Sequence, residues 1–199
     1  MSEPQARRPV DRASLDRMSL TIGTLAHEDL TPDDLVGLRA LFDAEYAKDF
    51  GDWDPQQPYG YAPHDLHVIA RNGDSTIGHV GWGRRAISVG ERELVIAGVG
   101  GVLVSDGARG LRLGEQLMTR AVESMRDADG IDFGYLGCRE EVVPFYLACG
   151  WERVSAPERS LDREGRPSMD PAGQPLLIYP VEPSSVWPEG EIDLRGRAW

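Results

Sequence analysis

The chain contains 199 residues, of which 41% are hydrophobic and 27% are charged, and its formal net charge is −12 at pH 7. This length suits one domain with a sizeable core, and no apolar run approaches the roughly 20 residues that a membrane span needs. The acidic balance argues against nucleic acid, whose phosphates would be repelled. It favours either a cationic small substrate, drawn to an acidic cleft, or simple solubility.

The first 18 residues show no secretory signal, because they are basic but contain no apolar core. We therefore predict a disordered leader over residues 1–18 and a single domain over residues 19–199. Cys138 and Cys149 have neither metal-ligand spacing nor the pattern of a disulfide framework. This cysteine usage favours the reducing cytoplasm.

The first elements follow from local patterns. Residues 19–25 alternate in polarity and predict a strand. Thr31, followed by Pro32 and two acids, predicts the start of a helix with one apolar face. Residues 49–63 are rich in glycine, proline, aromatics and acids and predict a long loop, the kind of segment that often binds a ligand.

Three antiparallel strands are predicted next, over residues 66–71, 76–85 and 91–104, with Asn72-Gly73 as a hairpin turn between the first two. Glycines interrupt the third strand at positions 98, 100 and 101. Glycine inside a strand often marks a bulge or the close approach of a ligand to the backbone.

The third strand runs into an arginine-glycine loop and then into an amphipathic helix that begins near Leu113. A helix N-terminus offers unpaired N–H groups and partial positive charge, so this arrangement can hold a diphosphate. No Gly-Lys-Ser/Thr follows, which excludes a P-loop, and no G-x-G-x-x-G is present. Further along, we predict strands over 131–138, 151–154 and 176–181, a short helix over 140–148 ending at Gly150, and a loop over 156–175.

Two motifs together resemble the GNAT superfamily of acyl-CoA-dependent N-acyltransferases. They are Arg109-Gly110-Leu111-Arg112-Leu113-Gly114 and Tyr146-Leu147-Ala148-Cys149-Gly150-Trp151. The resemblance implies an α/β (α+β) fold, whose mostly antiparallel mixed sheet is splayed at the acyl-CoA site and flanked by helices. It also implies acetyl-CoA, or another acyl-CoA, as co-substrate, without a metal. The implied donor-binding residues are Val102, Leu103, Val104, Arg109, Gly110, Leu111, Arg112, Leu113 and Gly114.

A closer resemblance is to the aminoglycoside 2'-N-acetyltransferase family. It is carried by Lys48-Asp49-Phe50 with Trp53, by His79-Val80-Gly81-Trp82-Gly83-Arg84-Arg85, and by the segment from Asp193 to Trp199. The segment Val186-Trp187-Pro188-Glu189-Gly190-Glu191-Ile192-Asp193 also resembles the nodulation protein A family. Both families acylate the amine of a 2-amino-2-deoxy sugar, which implies acetyl transfer to an amino sugar or to an aminoglycoside 2'-amine. A resistance role and a biosynthetic role both stay open.

Two alternatives remain beside acetyl transfer. One is an N-acyltransferase that takes a longer acyl chain from acyl-CoA or an acyl carrier protein. The other is a non-catalytic acyl-CoA-binding module. A homodimer is compatible with any of these, since a late strand can pair across a two-fold axis.

The resemblance assigns Tyr146 as the general acid for the leaving thiolate and the N–H of Val102 to the oxyanion. The aminoglycoside family has a glutamate at the position of Gly100, and no carboxylate lies between Leu94 and Ser105. The base is therefore elsewhere, or is water alone, or the substrate amine has a lower pKa. Candidate bases elsewhere are Asp49, Glu140 and Glu141, with His64 and His67 as weaker ones; His79 fits a buried, hydrogen-bonded histidine better.

The resemblance also implies a set of substrate-binding residues. Asp49 matches an acid that binds ammonium groups, Gly137 stands where the family has a serine, and Asp170 matches an acid of a late loop. The carboxylate of Trp199 matches one that pairs with an ammonium, although Arg197 nearby would repel a polyamine. The full predicted set is Asp49, Gly100, Gly101, Gly137, Asp170 and Trp199.

Overall fold

The computed structural model describes residues 20–199, so the leader predicted for residues 1–18 lies outside the described residues. The strands are β1 Leu20–Ala26, β2 Leu66–Asn72, β3 Ser75–Val89, β4 Arg92–Val104, β5 Phe133–Gly137, β6 Glu152–Val154, β7 Glu158–Leu161, β8 Pro167–Asp170, β9 Leu176–Pro180 and β10 Ile192–Arg197. The α-helices are α1 Pro32–Phe50, α2 Leu113–Asp127 and α3 Val143–Ala148. Among the helices of residues 20–199, none has the length and apolar character to cross a membrane.

Helix α1 begins where the sequence predicts it. The Thr31 hydroxyl accepts the Asp34 N–H at 3.2 Å, and the Asp34 carboxylate accepts the Thr31 N–H at 3.0 Å. This reciprocal capping box satisfies two donors that the first turn leaves unpaired. The helix then buries Leu38, Leu41 and Phe42. It extends to Phe50, two residues into the segment predicted as a loop, and is capped by Gly51.

Within the described residues, ten strands form one sheet in the order β6-β9-β5-β4-β3-β10-β7-β8, with β2 beside β3 and β1 beside β2. The pairs β4–β5 and β10–β7 are parallel, and the other pairs are antiparallel. The main core lies between α2 and the sheet and includes Leu117, Met118 and Met125. The predicted mostly antiparallel mixed sheet with flanking helices is confirmed.

Strands β4 and β5 separate soon after they meet. They pair only from Ile96 with Phe133 to Gly98 with Tyr135, although β4 continues to Val104. Against β3, the register of β4 shifts between Gly100 and Leu103, where Gly101 has φ +59°. The glycine-rich part of β4 therefore forms a β-bulge beside the point where the sheet opens.

The segment predicted as a loop over residues 156–175 contains the β7–β8 hairpin, which corrects that prediction. Strand β10, which we did not predict, inserts between β3 and β7. The two hairpin strands carry little hydrophobic alternation, because they are largely exposed. Their pairing depends on partners far away in the sequence, so local pattern does not reveal it.

Candidate active site

The loop between β4 and α2 presents backbone rather than side chains. Its turn Asp106–Ala108 leads to Gly110 at φ +80° and Arg112 at φ +57°, and no side chain caps α2. The first N–H groups of α2 thus lack intrahelical partners and can bind an anion. Side chains of the loop are engaged with acids: Arg112 bonds Glu115 at 2.6 and 2.9 Å, and Arg109 pairs with Asp106 at 2.9 Å.

A cavity of about 680 Å³ occupies the gap between β4 and β5. Its lining includes Gly100, Gly101 and Val102 of β4 and Gly137 at the end of β5. Aromatic side chains of α1 and of the following loop form a further part of the wall: Phe42, Tyr46, Phe50, Tyr59 and Tyr61. The charged lining groups are Glu158, Asp170 and Arg139.

Tyr146 lines the same cavity from α3 and is only 7% exposed. Its ring packs edge-on against Phe145, with 5.0 Å between ring centroids. Burial raises the pKa of the Tyr146 hydroxyl above its usual value. The phenol therefore stays protonated at neutral pH and can donate a proton within the cavity.

The structure brings together most of the predicted substrate-binding residues. Gly100, Gly101, Gly137, Asp170 and Trp199 all line the cavity, whereas Asp49 is exposed near the end of α1 and outside the lining. Their binding roles stay predictions.

The predicted donor-binding residues separate into two groups. Val102 lines the cavity, but Leu103 is buried against the α1 side of the sheet and Val104 packs against the main core. Leu111 and Arg112 line a second groove, of about 510 Å³, along α2. The other predicted donor-binding residues, Arg109, Gly110, Leu113 and Gly114, lie in the loop and the first turn of α2.

Two of the candidate bases face solvent. Glu140 is exposed and forms a two-point contact with Arg153, at 2.6 and 3.0 Å, and Glu141 is exposed beside it. Neither carboxylate belongs to the cavity lining.

Histidines form a directional chain of hydrogen bonds behind β4. His79 Nδ1 lies 2.7 Å from the Gly101 carbonyl, which can only accept, so this nitrogen carries the proton. His79 Nε2 then accepts from His67 Nδ1 at 2.9 Å, and His67 Nε2 accepts from His27 Nδ1 at 3.0 Å. Burial lowers the pKa of His67 to about 3 and that of His79 to about 4, so both are neutral.

His64 differs from its neighbours. It is 4% exposed, lines the cavity, and neither ring nitrogen has a hydrogen-bond partner among the described residues. Ligand atoms of His64, His67 and His79 lie within 4.8 Å of one another, a spacing that could serve a metal ion. However, every ring nitrogen of His67 and His79 already has a hydrogen-bond partner. Only His64 has a free nitrogen for a ligand.

Glu158 is a cavity residue that the sequence did not reveal. It is 6% exposed, and its carboxylate accepts a hydrogen bond from the Tyr135 hydroxyl. Burial raises the pKa of this carboxyl group. No local signal identifies Glu158, because its strand is short and its partner lies on β5.

Solved structures with the same fold include GNAT family proteins. Escherichia coli ElaA is 19% identical, with a TM-score of 0.58, and the match covers 80% of this chain and 99% of that one. A GNAT family N-acetyltransferase from Escherichia coli (YhbS), in complex with CoA, is 16% identical, with a TM-score of 0.60 and coverages of 89% and 90%. An aminoglycoside 6'-N-acetyltransferase complexed with coenzyme A is 14% identical, with a TM-score of 0.55 and coverages of 82% and 98%.

The opened sheet, the cavity in its gap and the uncapped helix define a GNAT-type N-acyltransferase. The family described as Nodulation protein A (NodA) matches residues 24–197, and the chain belongs to that family. No curated protein matches the sequence. Membership in an enzyme family removes the non-catalytic binding module from the alternatives.

Proposed function

We propose that the protein is an acetyl-CoA-dependent N-acetyltransferase that acts directly on an amine of an amino sugar or aminoglycoside, at the 2'-position. The observation that carries this proposal is the end of β4–β5 pairing at Gly98, with Tyr146 in the wall of the cavity that fills the gap. Past that point, the backbone of β4 has no partner from β5. Its polar groups are available to an extended ligand.

Acetyl-CoA fits this site at two places, the N-terminus of α2 and the gap between β4 and β5. The N-terminus of α2 supplies backbone N–H groups for a diphosphate, as coenzyme A requires. The thioester then lies between β4 and β5, where the N–H of Val102 can stabilise the oxyanion that forms on its carbonyl. Backbone donors suit this task because they are held rigidly by the strand.

The acceptor half of the cavity suits a cation. Glu158 and Asp170 supply carboxylates, and Tyr46 of α1 adds an aromatic ring to the same lining, a group that can attract an ammonium. The net charge of −12 adds a long-range attraction for a cationic substrate. A sugar amine combines such a cation with a compact ring.

The reaction follows from these positions. The neutral amine attacks the thioester carbonyl, and collapse of the tetrahedral intermediate breaks the carbon–sulfur bond. Tyr146 gives its proton to the departing thiolate, for which a protonated phenol with a raised pKa is suited. The two half-buried free cysteines have no assigned part in this reaction and fit a reducing cytoplasm.

A longer acyl donor is the second candidate, because the aromatic wall offers more apolar surface than an acetyl group needs. Thiol release should therefore be measured with acetyl-CoA and with octanoyl-CoA. Acceptors should include 2'-amino aminoglycosides, matched 2'-hydroxyl compounds, glucosamine, chitooligosaccharide amines and polyamines. We expect turnover with acetyl-CoA and only with acceptors that carry an amine at C2 of the sugar, namely 2'-amino aminoglycosides, glucosamine and chitooligosaccharide amines. Turnover only with the long donor favours the second candidate, and equal rates with polyamines contradict the amino-sugar acceptor.

A further inference from the structure

We propose that His64 is the catalytic base that removes the proton from the acceptor ammonium, beside Gly100 on the floor of the cavity. This inference rests on the proposed function, since it assumes that an amine is the acceptor. It names a residue that neither the family match nor the fold assigns.

The first support is the unpartnered state of His64. A buried polar group without a hydrogen bond is costly and calls for an explanation. Both ring nitrogens of His64 are buried and unpartnered in residues 20–199, yet the ring lines the cavity. A ligand in the cavity can therefore supply the missing partner, and an amine N–H is a suitable donor.

The second support is the space that glycines leave for this ring. A Cβ at position 100 would lie 3.0 Å from His64 Nε2, and one at position 101 would lie 3.2 Å from its Cε1. A Cβ at Gly81 would overlap the ring itself. An acidic side chain at position 100 and the imidazole of His64 thus compete for one place. His64 supplies a proton acceptor where β4 carries no carboxylate.

The third support is that the other carboxylates are poorly placed or already engaged. Asp49, Glu140 and Glu141 lie outside the cavity lining. Glu158 lines the cavity, but its carboxylate is bonded to Tyr135 on β5. Asp170 also lines the cavity, but it lies on the exposed strand β8. His64 instead lies against the β4 bulge, next to the gap that would hold the thioester.

The surroundings keep His64 neutral and ready to accept a proton. The titratable groups facing it are His67, His79 and His27, and the main chain of Trp199 lies across Gly100. Burial, followed by the neighbouring histidines, lowers the pKa of His64 well below its usual value. A neutral imidazole is a weak base, but the acceptor brings its own positive charge into the cavity. Moving the proton from ammonium to His64 leaves the net charge of the cavity unchanged.

The protons balance over the cycle. His64 takes one proton from the ammonium, and the freed nitrogen lone pair forms the bond to the thioester carbon. The carbon–sulfur bond breaks, and the thiolate takes the proton of Tyr146. The second proton of the new amide nitrogen returns to the Tyr146 oxygen. His64 releases its proton to solvent as the products leave, so one proton is released per turnover.

The test compares wild type, His64→Gln and His64→Ala in acetyl transfer across pH, with glucosamine as acceptor. In wild type, kcat/KM should stay level from about pH 6 to the pKa of the amine, because His64 accepts the proton of the ammonium. In His64→Gln, only the free amine reacts, so kcat/KM should fall below that of wild type by about tenfold for each pH unit below the pKa of the amine. Imidazoles added to His64→Ala should restore the rate in proportion to their basicity.

Control variants separate this role from a structural one. His27→Asn keeps a donor for His67 and should leave the pH profile unchanged. The Kd for acetyl-CoA should stay within about twofold in all His64 variants, since the donor half of the site is intact. A pH profile of His64→Gln that runs parallel to wild type overturns the proposal. The proposal is also overturned if His64→Gln has wild-type activity while Glu158→Gln loses most of its activity. The same conclusion follows if His64→Gln has wild-type activity while a chain extended by two glycines past Trp199 loses most of its activity.

Two further measurements test whether His64 is a metal ligand and whether the proposed function itself fails. Stoichiometric zinc in the purified protein, lost in His64→Ala, would show a metal ligand and overturn the base assignment. If wild type acetylates no amine at all, the proposed function fails independently. His64 is then judged by the ¹⁵N shift of its ring on adding glucosamine: a shift specific to this ring supports the amine contact, and no shift overturns it.

Discussion

The Tyr135 hydroxyl on β5 donates a hydrogen bond to the Glu158 carboxylate on β7, although β4, β3 and β10 lie between those strands in the sheet. Two side chains so far apart in strand order meet only because the sheet curls strongly. That curl brings the β7–β8 hairpin over the opening between β4 and β5 and helps to enclose the cavity. The hairpin thereby adds the acids Glu158 and Asp170 to the cavity. The donor half, in contrast, is built by the continuous segment from β4 to α2.

Glu158→Gln should change how stability depends on pH. Burial raises the folded-state pKa of Glu158 above its unfolded value. The stabilising contribution of this group is therefore complete below the unfolded pKa and is lost as pH rises through the folded pKa. We expect wild type to lose stability relative to Glu158→Gln as the pH rises through the raised pKa of this carboxyl group. Urea melts over a series of pH values test this, and parallel changes in the two proteins would contradict it.

Tyr135→Phe should destabilise the fold and leave the donor site intact. The variant leaves a buried carboxyl group without its partner, which costs about 1–3 kcal/mol. For a chain of this size, each kcal/mol lowers Tm by roughly 2–4 °C. Calorimetric melting measures the loss. An unchanged Tm would show that the Tyr135–Glu158 contact contributes nothing to stability.

Tyr146→Phe should bind acetyl-CoA and lose turnover. The phenyl ring keeps the packing against Phe145, but no proton reaches the thiolate, so kcat should fall about 100-fold or more. Tyr179→Phe is the matched control, since its hydroxyl contacts Arg126 and lies outside the cavity lining. Equal rates in Tyr146→Phe and wild type would remove Tyr146 from the reaction.

Gly100→Glu and His64→Gly should compensate for each other. Alone, Gly100→Glu places a Cβ 3.0 Å from His64 Nε2 and 2.6 Å from the main-chain carboxyl carbon of Trp199, so it should lower both stability and activity. Removing the imidazole in the double variant opens room for the new carboxylate to accept the proton. We expect the double variant to be at least tenfold more active than the product of the single effects. If the effects of the two substitutions on activity simply multiply, the new carboxylate and the imidazole of His64 do not compete for one place.

Arg112→Gly should be tolerated by the donor site. Arg112 holds φ +57°, a left-handed conformation that costs a non-glycine residue about 1 kcal/mol. Its guanidinium is bonded to Glu115 on the surface, so the backbone N–H groups remain the main anion donors. We expect Tm to stay equal or rise slightly and the Kd for acetyl-CoA to change less than about threefold. A tenfold weaker Kd would show that the side chain binds the diphosphate.

Several parts of the fold could be predicted because the residues that form them are contiguous. The cap at Thr31, the β2–β3 hairpin and the passage from β4 to α2 depend on residues a few positions apart. The hairpin turn lies at Gly73-Asp74, one residue later than predicted. Hydrophobic period and turn chemistry act over that range. The glycines of β4 likewise predicted a bulge, which the register of β3 and β4 contains.

The sequence by itself determined the α/β class, the strand–loop–helix that presents backbone N–H groups, and the motif around Tyr146. Only the tertiary structure decided that residues 156–175 form a hairpin wall, that Glu158 reaches Tyr135, and that His64 lies unpartnered between three glycines. The physical reason is that burial and neighbouring groups set the pKa and the hydrogen bonding of an acid or an imidazole. Those neighbours come from strands paired over long separations, which no local pattern encodes.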